Sequence, residues 1–294
     1  MPELPEVETV RATLAASLLG ATITRARLLR RDVAAAPGDP PGGFGRQRSH
    51  GGAPAPRRLT RADLLQGETV CAIDRRGKRL LVRGASGRAI GVHLGMTGQL
   101  LLAPAAGRLP VHTHAIWTLA SASSGARRLL FRDPRRFGGI WIFRDAGAAD
   151  AWLDQLGPDA LTITAGQLRE ALGAARRPLK AALLDQRLIA GVGNIYADEA
   201  CHRAGLRPDR TASELSTSET AALAAAIRAT LRAAVRAGGS TLRDYVDAEG
   251  RPGGYQRRRR VYGRAGAPCL GCGRPLASGR LAQRATVWCD WCQG

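Results

Sequence analysis

The chain has 294 residues, of which 44 are lysine or arginine and 24 are aspartate or glutamate, so its formal net charge is +20. That length is enough for about two domains with a hydrophobic core each. The positive charge indicates a polyanionic partner, most simply nucleic acid, with an anionic membrane surface as the alternative. No long apolar span and no secretion signal are visible, which excludes a membrane-spanning protein and leads us to expect a soluble protein of the cytoplasm.

The first 30 residues predict a helix followed by a strand. Pro5 suits the first turn of a helix, where its missing N–H group costs nothing. The run at 22–28 then has the composition of a strand. The helix carries one apolar stripe, formed by Val7, Val10, Leu14 and Leu18.

Three residues at the start of this helix also have the chemistry of a catalytic group. Once Met1 is removed, Pro2 carries a secondary amine with a pKa of about 8, so part of it is neutral at pH 7 and can attack an electrophilic carbon. Glu3 and Glu6 lie close enough in the sequence to transfer protons beside it. The alternative interpretation is a proline-rich segment that only starts a helix.

Residues 34–58 are rich in proline and glycine, and we expect a surface loop without a catalytic part. Between 68 and 143, short β-type runs alternate with glycine-rich turns, which predicts a β-sandwich or a barrel. These runs are 69–73, 79–82, 90–94, 100–102, 115–119, 129–131 and 140–143.

After about residue 150 the pattern becomes helical. Residues 178–205 predict a helix, a tight turn and a second helix, because Gly191 and Gly193 allow the backbone to turn sharply. Asn194 opens the second helix, where free N–H groups and the helix dipole favour a phosphate. The alternative is a simple capped helical hairpin. A stripe of core residues follows at Leu223, Ile227, Leu231 and Val235.

Four of the six cysteines form two Cys-x2-Cys pairs near the end of the chain, separated by residues 273–288. This spacing is typical of a structural zinc site, because four thiolates close the coordination sphere of the metal. The alternatives are disulfides or a chance spacing. The four residues are Cys269, Cys272, Cys289 and Cys292, whereas we expect Cys71 and Cys201 to be core thiols.

Lysine is almost absent, since Lys78 and Lys180 are the two lysines and the other 42 basic residues are arginine. A compact ammonium group can lose its proton, whereas the guanidinium of arginine cannot. These two positions are therefore candidates for sites that arginine would not serve. The alternative is that two lysines remained by chance.

Taken together, these segments resemble the formamidopyrimidine-DNA glycosylase family, bacterial repair enzymes that excise oxidised purines. The resemblance runs nearly end to end and is interrupted mainly at 34–58. It is carried by the cysteine quartet and by the joint order of several short motifs. The motifs lie at 2–8, 76–81, 93–98, 133–138, 156–158, 190–197 and 261–264.

The resemblance implies an α+β fold with three parts. An N-terminal β-sandwich that carries the first helix would occupy residues 1–150 as the catalytic domain. A helix-two-turn-helix DNA-binding domain would follow at 151–250, and a zinc-finger β-hairpin at 251–294. One structural zinc ion per chain would be held by the four cysteines.

The resemblance also implies the catalytic roles. Pro2 would attack C1′ of the sugar and expel the damaged base, leaving a Schiff base from which both flanking phosphates are eliminated. Glu3 would transfer protons, and Glu6 would assist it or hold the site. Lys78 would bind phosphates beside the lesion and lower the pKa of the Pro2 amine through its charge.

Further residues are implied to contact DNA. Met96, Arg135 and Phe137 would fill the space that a flipped-out base leaves in the duplex. The segment 250–256 departs from the usual family pattern with Gly253-Gly254-Tyr255-Gln256, which leaves the base preference open. Phosphate contacts are implied for His93, Lys180, Asn194, Tyr262 and Arg284.

We therefore expect a bifunctional DNA glycosylase and abasic-site lyase that removes 8-oxoguanine and formamidopyrimidines by β,δ-elimination in base excision repair. Its partner would be damaged double-stranded DNA, with no membrane contact, and it would act as a monomer at the nucleoid of a bacterial cytoplasm. Two alternatives stay open. One is a glycosylase of the endonuclease VIII type that prefers oxidised pyrimidines, and the other is a DNA-binding relative without catalytic activity.

Overall fold

A computed structural model describes residues 2–35, 59–120 and 127–294 of the chain. They divide into two compact units. The first unit contains Pro2, 6–154 and 241–253, and the second contains 3–5, 155–240 and 254–294, within the described ranges. Most of the loop expected at 34–58 lies outside the described residues.

The first unit is built from two sheets. In chain order, its described strands are β1 (Thr22–Leu28), β2 (Ala34–Ala35), β3 (Val70–Arg76), β4 (Arg79–Gly84), β5 (Ala89–His93), β6 (Gln99–Pro104), β7 (Thr113–Ala120), β8 (Arg127–Arg132) and β9 (Gly139–Phe143). One antiparallel sheet has the order β1-β7-β8-β6. The other has the order β2-β9-β5-β4-β3 and is antiparallel except for the pair β2 and β9. Every strand predicted in this region is therefore present, and the start of the expected loop forms the short strand β2.

The two sheets share one hydrophobic core. Trp117 and Phe131 enter it from the four-stranded sheet, and Leu80 and Ile90 enter it from the five-stranded sheet. Helix α1 (Leu4–Leu18) adds the apolar stripe that the sequence predicted, from Val7 onward. Two sheets that pack face to face across one core form a β-sandwich, so this prediction is confirmed.

A short helix covers a second apolar face of the five-stranded sheet. Helix α2 (Ala146–Asp154) carries Trp152, which is buried. Its ring lies 5.3 Å from that of Trp141 and 5.5 Å from that of Phe143, between ring centroids. These distances are typical of favourable aromatic pairs, so the sheet is packed on both faces here.

The second unit is helical and ends in a β-hairpin. Its elements are α3 (Ala165–Gly173), α4 (Leu179–Leu184), α5 (Asn194–Ala204), α6 (Thr217–Arg236), β10 (Ala277–Leu281) and β11 (Arg284–Trp288). Helices α3 and α6 both begin with a capping box, in which Thr164 pairs with Gln167 and Ser216 pairs with Glu219. Each box satisfies backbone N–H groups that the first helical turn leaves unpaired.

The helix, turn and helix predicted at 178–205 are confirmed as α4, the intervening turn and α5. Gly191 in the turn has φ +112°, a conformation that favours glycine, and a Cβ there would lie 2.4 Å from Leu4 Cδ1. Helix α5 ends at Gly205 with φ +70°. The core of this unit contains Leu4 together with the predicted stripe residues Leu223, Ile227 and Leu231.

The chain path differs from the expected three parts at two places. Glu3–Pro5 belong to the second unit, where the Leu4 N–H donates to the Gly191 carbonyl oxygen at 3.1 Å. Thr241–Gly253 belong to the first unit, where Tyr245 and Ala248 join the core. The domain boundaries near 150 and 250 stay predictions.

The two cysteines outside the quartet differ in their surroundings. Cys201 in α5 is fully buried, as expected. Cys71 is exposed, so the expectation of a core thiol was wrong. A register shift between Val70 and Ala72 interrupts β3 at this point, and Val70 and Ile73 fill the core in its place.

Candidate DNA interface and catalytic residues

Lys78 occupies the two-residue turn between β3 and β4. Gly77 in this turn has φ +56°, which is the conformation that a tight hairpin turn requires at its first position. The Lys78 side chain is 7 % exposed. A solvated turn residue would be far more exposed, so Lys78 is not an ordinary turn residue.

His93 ends β5 and pairs with Arg79 of β4. Its Nδ1 accepts a hydrogen bond from the Gly95 N–H at 3.2 Å, which assigns the ring proton to Nε2. Burial, and then the charges of Lys78 and Arg79, lower the pKa of His93 to about 4. His93 is therefore neutral at pH 7 and can donate a hydrogen bond from Nε2 to an anionic oxygen.

Met96, Arg135 and Phe137 lie on two turns that pack backbone against backbone. A Cβ on Gly95 would lie 2.3 Å from the carbonyl carbon of Phe137, so only glycine permits this approach. Met96 is 40 % exposed, and the guanidinium carbon of Arg135 lies 4.5 Å from the centre of the Phe137 ring. An exposed apolar side chain beside an arginine stacked on an aromatic ring has the composition of a wedge that enters a duplex.

Asp133 holds these two turns in place, and the sequence analysis gave it no role. It is fully buried, and its carboxylate accepts hydrogen bonds from Thr97 Oγ1 at 2.5 Å and from the Gly138 N–H at 2.8 Å. The Arg135 N–H approaches the same carboxylate at 3.3 Å. The sequence could have indicated this role, because an acidic residue directly before an arginine-rich turn can accept hydrogen bonds from the unpaired backbone N–H groups of that turn.

Glu3 lies at the N-terminus of α5, within the second unit. Its Oε1 accepts a hydrogen bond from the Ile195 N–H at 2.9 Å, and its Oε2 accepts one from the Tyr196 N–H at 3.4 Å. Gly193 leaves the room for this carboxylate, because a Cβ there would lie 2.3 Å from Glu3 Cδ. The N–H groups that the sequence analysis offered to a phosphate therefore stabilise a buried carboxylate.

Pro2 and Glu6 belong to the first unit. Pro2 is buried, and Glu6 is 1 % exposed, with its carbonyl oxygen accepting a hydrogen bond from the Tyr245 hydroxyl at 3.2 Å. Glu3 is similarly withdrawn from water at 2 % exposed. A segment that only starts a helix would leave such carboxylates solvated, so their burial favours the catalytic interpretation.

Asn194 and Arg284 are brought together in the second unit. The Asn194 Nδ2 donates to the carbonyl oxygen of Ala285 at 3.2 Å, next to Arg284 in the chain. Arg284 begins β11 and is exposed. Tyr262 is half-buried, and its N–H donates to Glu199 Oε1 at 2.9 Å.

The structure contradicts the expected phosphate contact of Lys180. Its side chain is 0 % exposed, and Nζ lies 2.7 Å from Asp198 Oδ1, 2.7 Å from the Ala285 carbonyl oxygen and 3.0 Å from Thr286 Oγ1. Two of these contacts are hydrogen bonds to β11 and the third is an ion pair, so the buried ammonium group is enclosed by acceptors of the protein and withdrawn from DNA. Burial lowers the pKa of Lys180 and raises the pKa of Asp198 to about 6, and the attraction between the two charges opposes both shifts.

The four Sγ atoms of the cysteine quartet lie within 4.8 Å of one another and could hold a metal ion. The Sγ atoms of Cys269 and Cys292 are 3.9 Å apart, and those of Cys272 and Cys289 are 3.5 Å apart. Tetrahedral zinc with bonds of about 2.3 Å places its sulfur ligands about 3.8 Å apart. The spacing of the quartet therefore fits zinc.

The protonation chemistry of the quartet also fits a cation. Burial raises the pKa of Cys269, but hydrogen bonds from His202 and from the Gly271 N–H outweigh it and lower that pKa to about 5. Hydrogen bonding with Cys272 and the other thiols raises the pKa of Cys292 to about 12. Four thiolates at this distance repel one another, so a cation is needed to keep all four ionised.

The first unit carries a candidate wedge on arginine-rich turns, and the second unit carries the hairpin with the cysteine quartet; features of both kinds occur in proteins that bind DNA and open the duplex. None of the helices in the described ranges is both long and apolar enough to cross a membrane. The fold and these sites define a DNA-repair enzyme of the helix-two-turn-helix class. Residues 1–140 match the family model described as the formamidopyrimidine-DNA glycosylase N-terminal domain, and residues 156–246 match that of its H2TH domain. The chain belongs to the formamidopyrimidine-DNA glycosylase family, as the motifs indicated.

Individual relatives agree with this assignment over the full length. The formamidopyrimidine-DNA glycosylase of Thermus thermophilus is 42% identical over 300 residues, covering 100% of this chain and 99% of the relative. That of Moorella thermoacetica is 41% identical over 279 residues, covering 94% and 93%.

Solved structures give the same result for the fold. The crystal structure of the MutM (Fpg) protein of Thermus thermophilus has a TM-score of 0.80 at 41% identity, covering 100% of this chain and 99% of that chain. The complex of Lactococcus lactis Fpg (MutM) with DNA that contains N7-benzyl-Fapy-dG has a TM-score of 0.81 at 29% identity, covering 99% of both chains.

Proposed function

We propose that this protein is a bifunctional DNA glycosylase and abasic-site lyase that removes oxidised purines, such as 8-oxoguanine and formamidopyrimidines, in base excision repair. It would act as a monomer on damaged duplex DNA at the nucleoid of a bacterial cytoplasm. The observation that carries the proposal is the Glu3 carboxylate held on the N-terminus of α5. It stands one residue after the amine that Pro2 offers once Met1 is removed.

The proposed reaction begins at the Pro2 nitrogen. This nitrogen bonds to C1′ of the sugar while the bond from C1′ to the damaged base breaks, and the base leaves with a proton. The bond from C1′ to O4′ then opens, O4′ takes a proton, and an iminium links the sugar to the protein. Removal of a C2′ proton expels the 3′ phosphate, and a second elimination expels the 5′ phosphate.

Glu3 is proposed to transfer the protons of these steps. The two N–H groups of α5 favour its ionised form, and burial keeps it apart from bulk water, so it can receive a proton from the substrate and return it. Glu6 assists this exchange or holds the N-terminal segment. Both roles depend on carboxylates that are buried, as these two are.

Lys78 and His93 are proposed to hold phosphates beside the lesion. The charge of Lys78 disfavours protonation of a nearby amine, so it also lowers the pKa of Pro2. His93 contributes a neutral Nε2–H donor, because its Nδ1 is engaged by the Gly95 N–H. The two residues supply different phosphate contacts, one charged and one neutral.

The remaining DNA contacts are divided between the two units. Met96, Arg135 and Phe137 fill the space of the flipped-out base from the first unit. Asn194, Tyr262 and Arg284 contact phosphates from the second unit. Lys180 is excluded from this set because its ammonium group is enclosed by acceptors of the protein.

The four cysteines are proposed to hold one structural zinc ion. A closed sphere of sulfur ligands leaves no position for a substrate, so no chemical step passes through the metal. When bound, the ion cross-links the two ends of the β10-β11 hairpin, which can contribute on the order of 10 kcal/mol to folding. The hairpin then presents Arg284 at the start of β11.

The proposal is tested by borohydride trapping on duplex DNA that carries 8-oxoguanine opposite cytosine. Borohydride reduces the iminium, so a stable protein–DNA adduct is expected with the Met1-processed protein. Pro2→Gly is the control: its processed terminus is a primary amine without the proline ring, and the yield of adduct on 8-oxoguanine should fall sharply with it. Mass spectrometry of the intact protein should show that Met1 is absent.

The two alternatives give different results in the same assay. A Lactococcus lactis relative was solved with DNA that contains an oxidised pyrimidine, so this lesion belongs in the test. An adduct on the pyrimidine but not on 8-oxoguanine would assign the protein to the endonuclease VIII type of specificity. No adduct on either lesion or on an abasic site would leave a DNA-binding protein without catalytic activity.

A further inference from the structure

Lys180 joins three segments of the second unit through one buried ammonium group. The residue lies in α4, and its Nζ contacts Asp198 in α5 and both Ala285 and Thr286 in β11. A compact ammonium group can meet acceptors in several directions at once, whereas the donors of a guanidinium all lie in one plane. This accounts for a lysine in a chain that otherwise uses arginine.

Strand β11 is held at two further points by the same elements. Asp198 Oδ2 accepts a hydrogen bond from the Val287 N–H at 3.1 Å. The Ala285 carbonyl oxygen receives hydrogen bonds from both Lys180 and Asn194, at 2.7 Å and 3.2 Å. One carbonyl group therefore ties Asn194 to the residue that follows Arg284.

We propose that the Lys180–Asp198 pair is a positioning device for DNA binding, which fixes the start of β11 so that Arg284 and Asn194 contact phosphates of one strand together. The inference rests on the proposed function, because it takes these two residues as phosphate contacts. Lys180 acts through Arg284 and makes no contact with DNA itself.

The energetics of buried ion pairs support a positioning role. Two charges lose their hydration when they are buried, so such a pair adds little net stability compared with apolar residues of similar size. The pair instead provides geometric specificity, because each buried donor and acceptor must lie opposite its partner. The acceptors of Lys180 include two consecutive residues of β11, which fixes the position of this strand relative to α4 and α5.

A double-mutant cycle with Lys180→Met and Arg284→Ala tests the proposal. The measurement is the affinity for a duplex with a stable abasic-site analogue. Lys180→Met should weaken binding roughly tenfold in the wild-type background but less than about twofold beside Arg284→Ala, because both changes remove one function. If the two losses multiply, Lys180 acts independently of Arg284, and the proposal is overturned.

Two further variants sharpen the comparison. Asp198→Asn removes a negative charge, which would strengthen binding if Lys180 faced DNA. We expect it to weaken binding instead, and stronger binding would contradict the proposal. Arg176→Met removes an exposed positive charge from the same unit and should change affinity by less than about twofold.

The kinetics separate positioning from chemistry. Single-turnover excision by Lys180→Met at saturating protein should stay within about threefold of the wild-type rate, because Lys180 does not touch the reacting atoms. The protein concentration needed for half-maximal rate should rise roughly tenfold. A loss in the saturated rate with no change in this concentration would overturn the assignment.

Hydrogen exchange in the free protein tests the device without DNA. Amides of β11, above all that of Val287, should exchange about tenfold faster or more in Lys180→Met and in Asp198→Asn, while those of α6 stay unchanged. If neither variant folds, the combined Lys180→Met, Asp198→Asn protein removes both charges together and takes their place. Unchanged exchange in a folded variant would overturn the proposal. Failure of the wild-type protein to bind damaged DNA would overturn the proposed function instead.

Discussion

Substitution of Gly193 by alanine should stop base excision while leaving the protein folded. The backbone at Gly193 has φ −132° and ψ −162°, an extended conformation that alanine adopts without strain. The obstacle is Glu3, because the added Cβ would lie 2.3 Å from its Cδ and 2.6 Å from its Oε1. Ordinary contact begins at 3.4 Å, so the carboxylate must move by about 1 Å.

The size of the effect follows from that displacement. A shift of about 1 Å breaks the hydrogen bonds from the Ile195 and Tyr196 N–H groups, which costs about 2 kcal/mol of stability for a charged acceptor. The side chain can move without disturbing the backbone, so the fold should survive. A catalytic group displaced by about 1 Å commonly loses about 100-fold in rate.

The assay is single-turnover excision of 8-oxoguanine opposite cytosine, together with affinity for an abasic-site analogue. Gly193→Ala should lower the rate about 100-fold and change the affinity by less than about threefold. Gly173→Ala is the matched control, because a Cβ there has nothing within 4 Å. In a Glu3→Gln background, Gly193→Ala should have little further effect. An excision rate within about threefold of wild type would refute the reasoning.

Three further predictions concern the metal, Lys78 and His93. Cys289→Ser should release zinc, measured by elemental analysis, and abolish DNA binding, whereas the exposed Cys71→Ser should keep both; retained zinc with intact binding would contradict this. Lys78→Arg should reduce excision more than affinity for abasic-site DNA, and equal losses in the two assays would make Lys78 a phosphate contact alone. His93 has its pKa lowered from 6.5 to about 4, mainly by burial, so its stabilising effect is complete above pH 6.5 and is lost as the pH falls through 4. Urea unfolding of the wild-type protein should show that the free energy of unfolding falls by up to about 3 kcal/mol between pH 6.5 and pH 4, and His93→Gln should lack this fall. If the free energy of unfolding changed with pH equally in both proteins, His93 would not be the group responsible.

The sandwich and the helical unit could be predicted because their signals are local. Alternating β-type runs and glycine-rich turns predicted every strand that the structure describes between 68 and 143, and the spacing of apolar residues predicted α1 and α6. The zinc site could be predicted equally well, because the spacing of two Cys-x2-Cys pairs indicates it whatever the fold of the residues between the pairs. These elements depend on neighbours in the chain.

The contacts of Glu3 and Lys180 could not be predicted because they join distant parts of the chain. No residue near Glu3 in the sequence indicates that its carboxylate would cap α5. The free N–H groups at the N-terminus of α5 could equally have bound a phosphate. The scarcity of lysine correctly marked Lys180 as special. Its role was wrong in the sequence analysis because burial depends on the packing of α4 against β11, which no local pattern reveals.

The two lysines of the chain have a practical consequence for amine chemistry. Lys180 is fully buried and Lys78 nearly so, and the remaining basic side chains are arginines, which do not form imines at neutral pH. An aldehyde from an opened sugar therefore meets almost no competing side-chain amine on the folded protein. Adducts captured with a reducing agent should therefore carry little background from lysine side chains.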